Sequence, residues 1–135
     1  AGRVTCYVNR YDKALAVSNA KRLALSPRLG RVGLPETAPH LMCSVDCSAL
    51  FDHVDPGLML HLSPEKTHCF YFDQAVFWQD VVLTLGGGID RNLIPTREVL
   101  AENRFAMNEK ALSQKDYQIA LGRADLNADR NDRKA

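Results

Sequence analysis

Residues 3–8, Arg-Val-Thr-Cys-Tyr-Val, are a short run of β-branched and aromatic side chains, broken by Asn9-Arg10-Tyr11 and followed at once by a helix-forming stretch that opens on Asp12. A run this short and of this composition reads as a strand buried on both faces. Asp12 stands where a helix N-cap belongs. Ala16, Ala20, Leu23 and Ala24 recur at helical spacing as far as Leu25, and Lys21 and Arg22 sit where cations complement the helix dipole. Pro27, Gly30, Gly33 and Pro35, interleaved with Arg28 and Arg31, then mark an irregular connection in which the arginines read as solvated loop charges. Leu41 to Cys47 reads as a second strand, ending in the turn-forming stretch Asp52 to Gly57. Strand, helix and strand joined by a crossover of this length make a right-handed parallel βαβ unit, so the fold class is α/β.

The rest of the chain is less regular. A loop holding His53, His61 and Pro64 leads to Thr67-His68, and a helix is expected from about Gln74 to Leu85, with Ala75, Trp78, Val82 and Leu85 as its apolar stripe. Gly86-Gly87-Gly88 ends that helix, since glycine enters the left-handed region without a Cβ penalty. The triple glycine follows a helix instead of joining a strand to a helix N-terminus, so it is not read as a phosphate loop. Beyond Pro95 a further helical segment is expected, best placed over Glu98 to Leu112, and residues 125–135 alternate acids and bases with little to bury. The organisation that follows is an α/β unit over 1–95, an added helical segment over 96–124 and a charged, disordered tail over 125–135.

Bulk properties exclude several functions. A net charge of +1 offers no domain-scale basic face for nucleic acid. The apolar runs are far shorter than the roughly 18 residues that suggest a membrane-spanning helix. Four cysteines, Cys6, Cys43, Cys47 and Cys69, show no C-x-x-C spacing, and the first three lie in apolar runs where a free cysteine behaves as a small buried hydrophobe. The spacing of His53, His61, His68 and Cys69 matches no common zinc pattern, and no cofactor is implied. The start at Ala1-Gly2-Arg3, without an initiator methionine, reads as a cut edge, left either by processing or because the chain is the C-terminal piece of something longer.

The chemistry-bearing residues are Asp12, after the first strand, and His68, after the second. The acid and the histidine come in that chain order in α/β-hydrolases, behind a nucleophilic serine on a strained strand-to-helix turn. Asp46, and less readily Asp52 or Asp55, could supply the acid instead, because a triad acid need only reach the imidazole in space. As bland alternatives, Asp12 is an N-cap and His68 an exposed loop histidine. Phe70, Tyr71, Phe72, Phe77 and Trp78 read as core aromatics that could also line an acyl pocket.

Four blocks go further: Val4 to Ser18 (VTCYVNRYDKALAVS), Arg28 to Gly33 (RLGRVG), Val45 to Ser48 (VDCS) and Thr67 to Tyr71 (THCFY). In this order they resemble the C-terminal half of a bacterial esterase/lipase-like family of α/β-hydrolases long catalogued as a domain of unknown function. The resemblance covers roughly residues 3 to 86. It implies the last two parallel strands of that fold with their crossover and C-terminal helices, Asp12 as triad acid, His68 as general base, and a small ester or acyl compound as the full-length protein's substrate. Glycine and serine more often flank the histidine in that family, so Thr67 and Cys69 are departures. None of Ser18, Ser26, Ser44, Ser48, Ser63 or Ser113 lies in a G-x-S-x-G, so the nucleophile is expected outside this chain, which is expected to be inactive by itself. The rival reading is a noncatalytic α/β-hydrolase-like interaction module.

Overall fold

The structure is a computed structural model in which residues 3–21, 29–52 and 56–133 are described. Strands β1 (Val4–Val8) and β2 (Met42–Asp46) pair in parallel, Val4 opposite Met42 through Val8 opposite Asp46. Between them lie α1 (Lys13–Lys21) and the one-turn helix α2 (Leu29–Val32), which interrupts the connection expected to be irregular. The expected end of α1, with Arg22 and Arg28, lies outside the described residues, as do His53 and Asp55.

The segment expected as a loop is instead two short helices, α3 (Pro56–His61) and α4 (Pro64–Cys69). The Ser63 hydroxyl accepts from the backbone N–H of Lys66, and Pro64, which has no N–H to leave unsatisfied, occupies the first turn. Proline there starts a helix and does not break one. His68 therefore sits in the last turn of a helix. A 3₁₀ turn over Phe70–Asp73 leads into α5 (Ala75–Gly86), closed by Gly87 at φ 67° in the left-handed region.

Beyond Pro95, no helix forms over Glu98 to Leu112. Strands β3 (Arg97–Ala101) and β4 (Arg104–Met107) make a hairpin whose turn places Asn103 at φ 59°. Arg-Glu-Val-Leu-Ala is built from good helix formers, but β4 pairs in parallel with the open edge of β2, and that pairing overrides propensity. The described sheet has the order β1-β2-β4-β3, with β3 antiparallel. Two strands were expected; β4 covers one edge of β2, and the outer edge of β1 is unpaired within the described sheet.

The tail expected to be disordered is largely helix α6 (Gln114–Asp132). Ser113 accepts from the Asp116 N–H and donates to its carboxylate, and Ala120 and Ala124 are buried against the rest of the chain. The helix is mostly polar but carries enough small apolar positions to pack against α5.

On the α5 side of the sheet, Tyr7, Val45 and Phe105 form one row across β1, β2 and β4, and belong to a cluster with Cys43, Cys47, Leu50, Val76, Phe77 and Met107. The core face of α5 is Val76, Phe77, Asp80 and Leu83, not the expected stripe. Trp78, Val82 and Leu85 are 49%, 43% and 81% exposed, and Ala75 is exposed with them. A charged residue inside the true core face is what misdirects the pattern. The Asp80 carboxylate is fully buried and held in a bidentate pair with Arg97, with both N···O distances 2.7 Å. Tyr7 and Thr96 hydroxyls donate to it at 2.7 and 2.6 Å. This network ties β1, α5 and the start of β3 into one body. Among the described residues, no helix is long and apolar enough to cross a membrane.

Candidate functional site

Asp12 and His68 meet. His68 Nδ1 lies 2.6 Å from Asp12 Oδ2, between residues 56 positions apart in the chain. The carboxylate is 3% exposed and the imidazole 47% exposed. Asp12 also caps α1, because its Oδ1 accepts the Leu15 N–H at 2.9 Å. One oxygen thus serves the helix and the other the imidazole, so the capping and acid readings describe one side chain. A carboxylate accepts, so Nδ1 carries the hydrogen and the neutral ring keeps its lone pair on Nε2. Nε2 makes no hydrogen bond among the described residues. A half-exposed imidazole in that tautomer can take a proton from a hydroxyl brought to Nε2, while the buried carboxylate holds the ring and stabilises the imidazolium.

The alternative acids are engaged elsewhere. Asp46 Oδ1 accepts the Ser48 N–H at 2.8 Å, and Asp52 Oδ1 pairs with Arg10 at 3.2 Å and takes the Tyr11 hydroxyl at 3.3 Å. Asp55 lies outside the described residues. Ser48, buried at the start of the 3₁₀ turn that follows β2, accepts the Arg10 N–H. Ser63 is spent on its helix cap. Among the described residues, no group of three or more His, Cys, Asp or Glu side chains could hold a metal ion.

All four cysteines are free. Cys43 and Cys47 are buried, Cys6 is partly buried and Cys69 is exposed. Burial, and then the Asp80 charge, pushes the Cys47 thiol far above its usual range. Arg31, expected as a solvated charge, donates from Nε to the Arg10 carbonyl at 3.0 Å. The aromatic group divides. Phe77 is core, Phe70 and Tyr71 pack against the core, and Phe72 and Trp78 stack face to face at 6.0 Å on the surface.

Two residues at this site were given no role from the sequence, where Thr67 figured only as a departure beside the histidine and Asn9 only as part of a strand break. Thr67 is fully buried and Asn9 is 1% exposed. The Thr67 hydroxyl accepts the Lys13 N–H at 3.1 Å and donates to the Pro64 carbonyl at 2.9 Å. Asn9 donates from Nδ2 to the Thr67 carbonyl at 3.0 Å and accepts the Tyr11 N–H at Oδ1. A polar residue shortly ahead of Asp12 and another directly ahead of His68 were the available signal.

A cavity of about 430 Å³ opens between β1 and α5, lined by Thr5, Tyr7, Cys43, Val81, Leu85 and Ile94 among others. Neither Asp12 nor His68 lines it, so the pair lies outside that cavity, with the imidazole half-exposed. No protein-family model, curated protein or solved structure matches this chain.

Proposed function

We propose that this chain carries the acid and base of a serine-hydrolase triad, with Asp12 orienting His68 and His68 acting as general base and then general acid in acyl transfer from an ester. The observation that supports the reading is the 2.6 Å contact from His68 Nδ1 to a buried Asp12 carboxylate, on an imidazole that is half-exposed. The serine and the donors that stabilise the tetrahedral oxyanion belong to polypeptide outside these 135 residues, since no G-x-S-x-G occurs within them. The substrate class is a small carboxylic ester. The resemblance to the esterase/lipase-like α/β-hydrolases points the same way, and the unpaired edge of β1 leaves room for more sheet.

A full-length protein is expected to react with a fluorophosphonate probe at its serine. His68→Ala should slow that labelling, and ester turnover, by a factor on the order of 10³ or more, the scale for removing a triad member. The isolated chain should show no turnover of a short-chain nitrophenyl ester above that of its own His68→Ala variant. Robust hydrolysis by the isolated chain that His68→Ala leaves unchanged would sink the assignment.

One observation favours a second reading. The exposed stripe Trp78, Val82 and Leu85, continued by Phe72, makes α5 apolar on its outer side as well as its inner one. A helix apolar all round is ordinarily covered. A noncatalytic interaction module would use such a surface, and a full-length protein with the serine replaced, inert to the fluorophosphonate, would decide for it.

A further inference from the structure

The contact between Asp12 and His68 joins two elements that share no strand pairing. Asp12 lies in the turn that opens α1, and His68 lies near the end of α4. What holds these elements together is a set of hydrogen bonds made one residue from His68 and three residues from Asp12. The Thr67 hydroxyl takes the N–H of Lys13, the first residue of α1, a group that the helix itself cannot satisfy. The Thr67 carbonyl, in the last turn of α4, is a late-helix acceptor and receives the Asn9 amide at 3.0 Å. The Asn9 backbone is fixed in turn. Its N–H donates to the Gly30 carbonyl at 2.9 Å and its carbonyl accepts the Asp12 N–H at 3.2 Å. On the outer side of the same junction, Lys13 Nζ donates to the Leu62 carbonyl at 2.9 Å, just ahead of α4.

We propose that Thr67 and Asn9 are the positioning residues of the acid–base pair, a buried two-point clamp that sets the distance between Asp12 and His68. The residues flanking the imidazole on the clamp side are nearly inaccessible, whereas the imidazole is half-exposed. Rigidity at the site therefore comes from Thr67 and Asn9 and not from packing of the histidine ring. Each helix supplies a terminal group that the other element's side chain satisfies, so the clamp caps two helix ends and fixes one catalytic distance with the same atoms. Thr67 suits this position because its hydroxyl both donates, to Pro64, and accepts, from Lys13. Serine can repeat that pattern, but valine, of the same shape, cannot.

The inference rests on the acid–base reading for its functional meaning, yet its test needs no turnover. In the ¹⁵N-labelled 135-residue chain, a Nδ1–H held against a carboxylate gives a slowly exchanging, far-downfield proton resonance. That resonance is expected in the wild type and in Thr67→Ser. In Thr67→Val and in Asn9→Ala its exchange with water is expected to be at least tenfold faster, or the signal lost. Val76→Ala, a cavity in the core beneath α5, lowers stability without touching the clamp and should leave the resonance in place. A wild-type chain lacking the resonance overturns the acid–base reading itself. A wild type that has it, beside a folded Thr67→Val that exchanges at the same rate, overturns the clamp alone. If Thr67→Val does not fold, Thr67→Ser decides, because a folded serine variant without the resonance contradicts the role given to the hydroxyl.

Discussion

Replacing Asp80 with asparagine tests how the hairpin is held to the α/β unit. The carboxylate is fully buried and receives four short hydrogen bonds, two from Arg97 and one each from Tyr7 and Thr96. The Arg97 side chain is 1% exposed. Asp80→Asn leaves a guanidinium in the core without a counter-charge and, whichever oxygen is replaced, turns an N–H₂ toward an Arg97 N–H that can only donate. Breaking one side of a buried pair costs roughly 3–5 kcal/mol, a large share of the about 5–15 kcal/mol that holds a domain folded. With a urea dependence of about 2 kcal/mol per M, the midpoint should fall by about 2 M. Arg97→Met should cost less, because the stranded carboxylate keeps its hydroxyl donors from Tyr7, Thr96 and Thr84. The double variant removes the desolvation penalty of both charges, so it should be less destabilised than the sum of the singles by at least about 2 kcal/mol. The assay is urea unfolding followed by far-UV circular dichroism and by fluorescence of Trp78, the single tryptophan. An Asp80→Asn cost below about 1 kcal/mol, or additivity within about 0.5 kcal/mol, would refute the argument that this pair is a desolvated, mutually dependent unit.

The same network sets a pH dependence. Burial, and then the neighbouring Asp80 charge, raises the Tyr7 phenol well above its usual value. A raised folded value means that the contribution of Tyr7 is complete below the unfolded phenol's pKa of about 10 and is lost as pH rises past it toward the folded value. Comparing urea midpoints of wild type and Tyr7→Phe between pH 8 and 11 should show the wild-type advantage shrinking above pH 10, and a constant gap would contradict the linkage. The cysteines give an independent check on the fold. Under native conditions a thiol reagent should modify Cys69 at once and Cys6 more slowly, with Cys43 and Cys47 reacting only on unfolding, as mass spectrometry of the labelled peptides would read out. Rapid native labelling of Cys47 would contradict its place in the core.

The elements legible in the sequence are those whose signals are local. β1 announces itself by composition and α1 by Asp12, β2 by its apolar run, and the end of α5 by its glycines. The position of Asp12 and His68 after successive parallel strands was enough to nominate two residues that are in contact. The hairpin was not legible, because Arg97 to Ala101 prefer a helix in isolation and become a strand only against β4, which itself pairs with the open edge of β2. Two other misses had local signals that point the right way. Ser63-Pro64 is a cap followed by a first-turn proline, and Ser113 to Asp116 carries the spacing of a capping box. The face of α5 was hidden for a further reason. Asp80 makes the buried side look polar, and the partner that neutralises it, Arg97, is 17 residues away.

The dual use of Asp12 explains why its bland and sharp readings could not be separated by residue type. An N-cap must sit at the end of a strand-to-helix turn with its carboxylate folded back over the first N–H groups, which places one oxygen on Leu15 and buries the side chain. The cap thereby fixes the rotamer, and the second oxygen is left facing whatever packs across the helix start. In this chain that element is α4, docked by Thr67 and Asn9, and the group presented is the His68 imidazole. The cap thus supplies a preorganised carboxylate, with its orientation already set by the fold of α1. An unanchored aspartate at the same distance would have to lose its rotamer freedom each time the imidazole ionised. On this argument capping is the reason that the carboxylate suits the acid's role, and the two readings of Asp12 support each other.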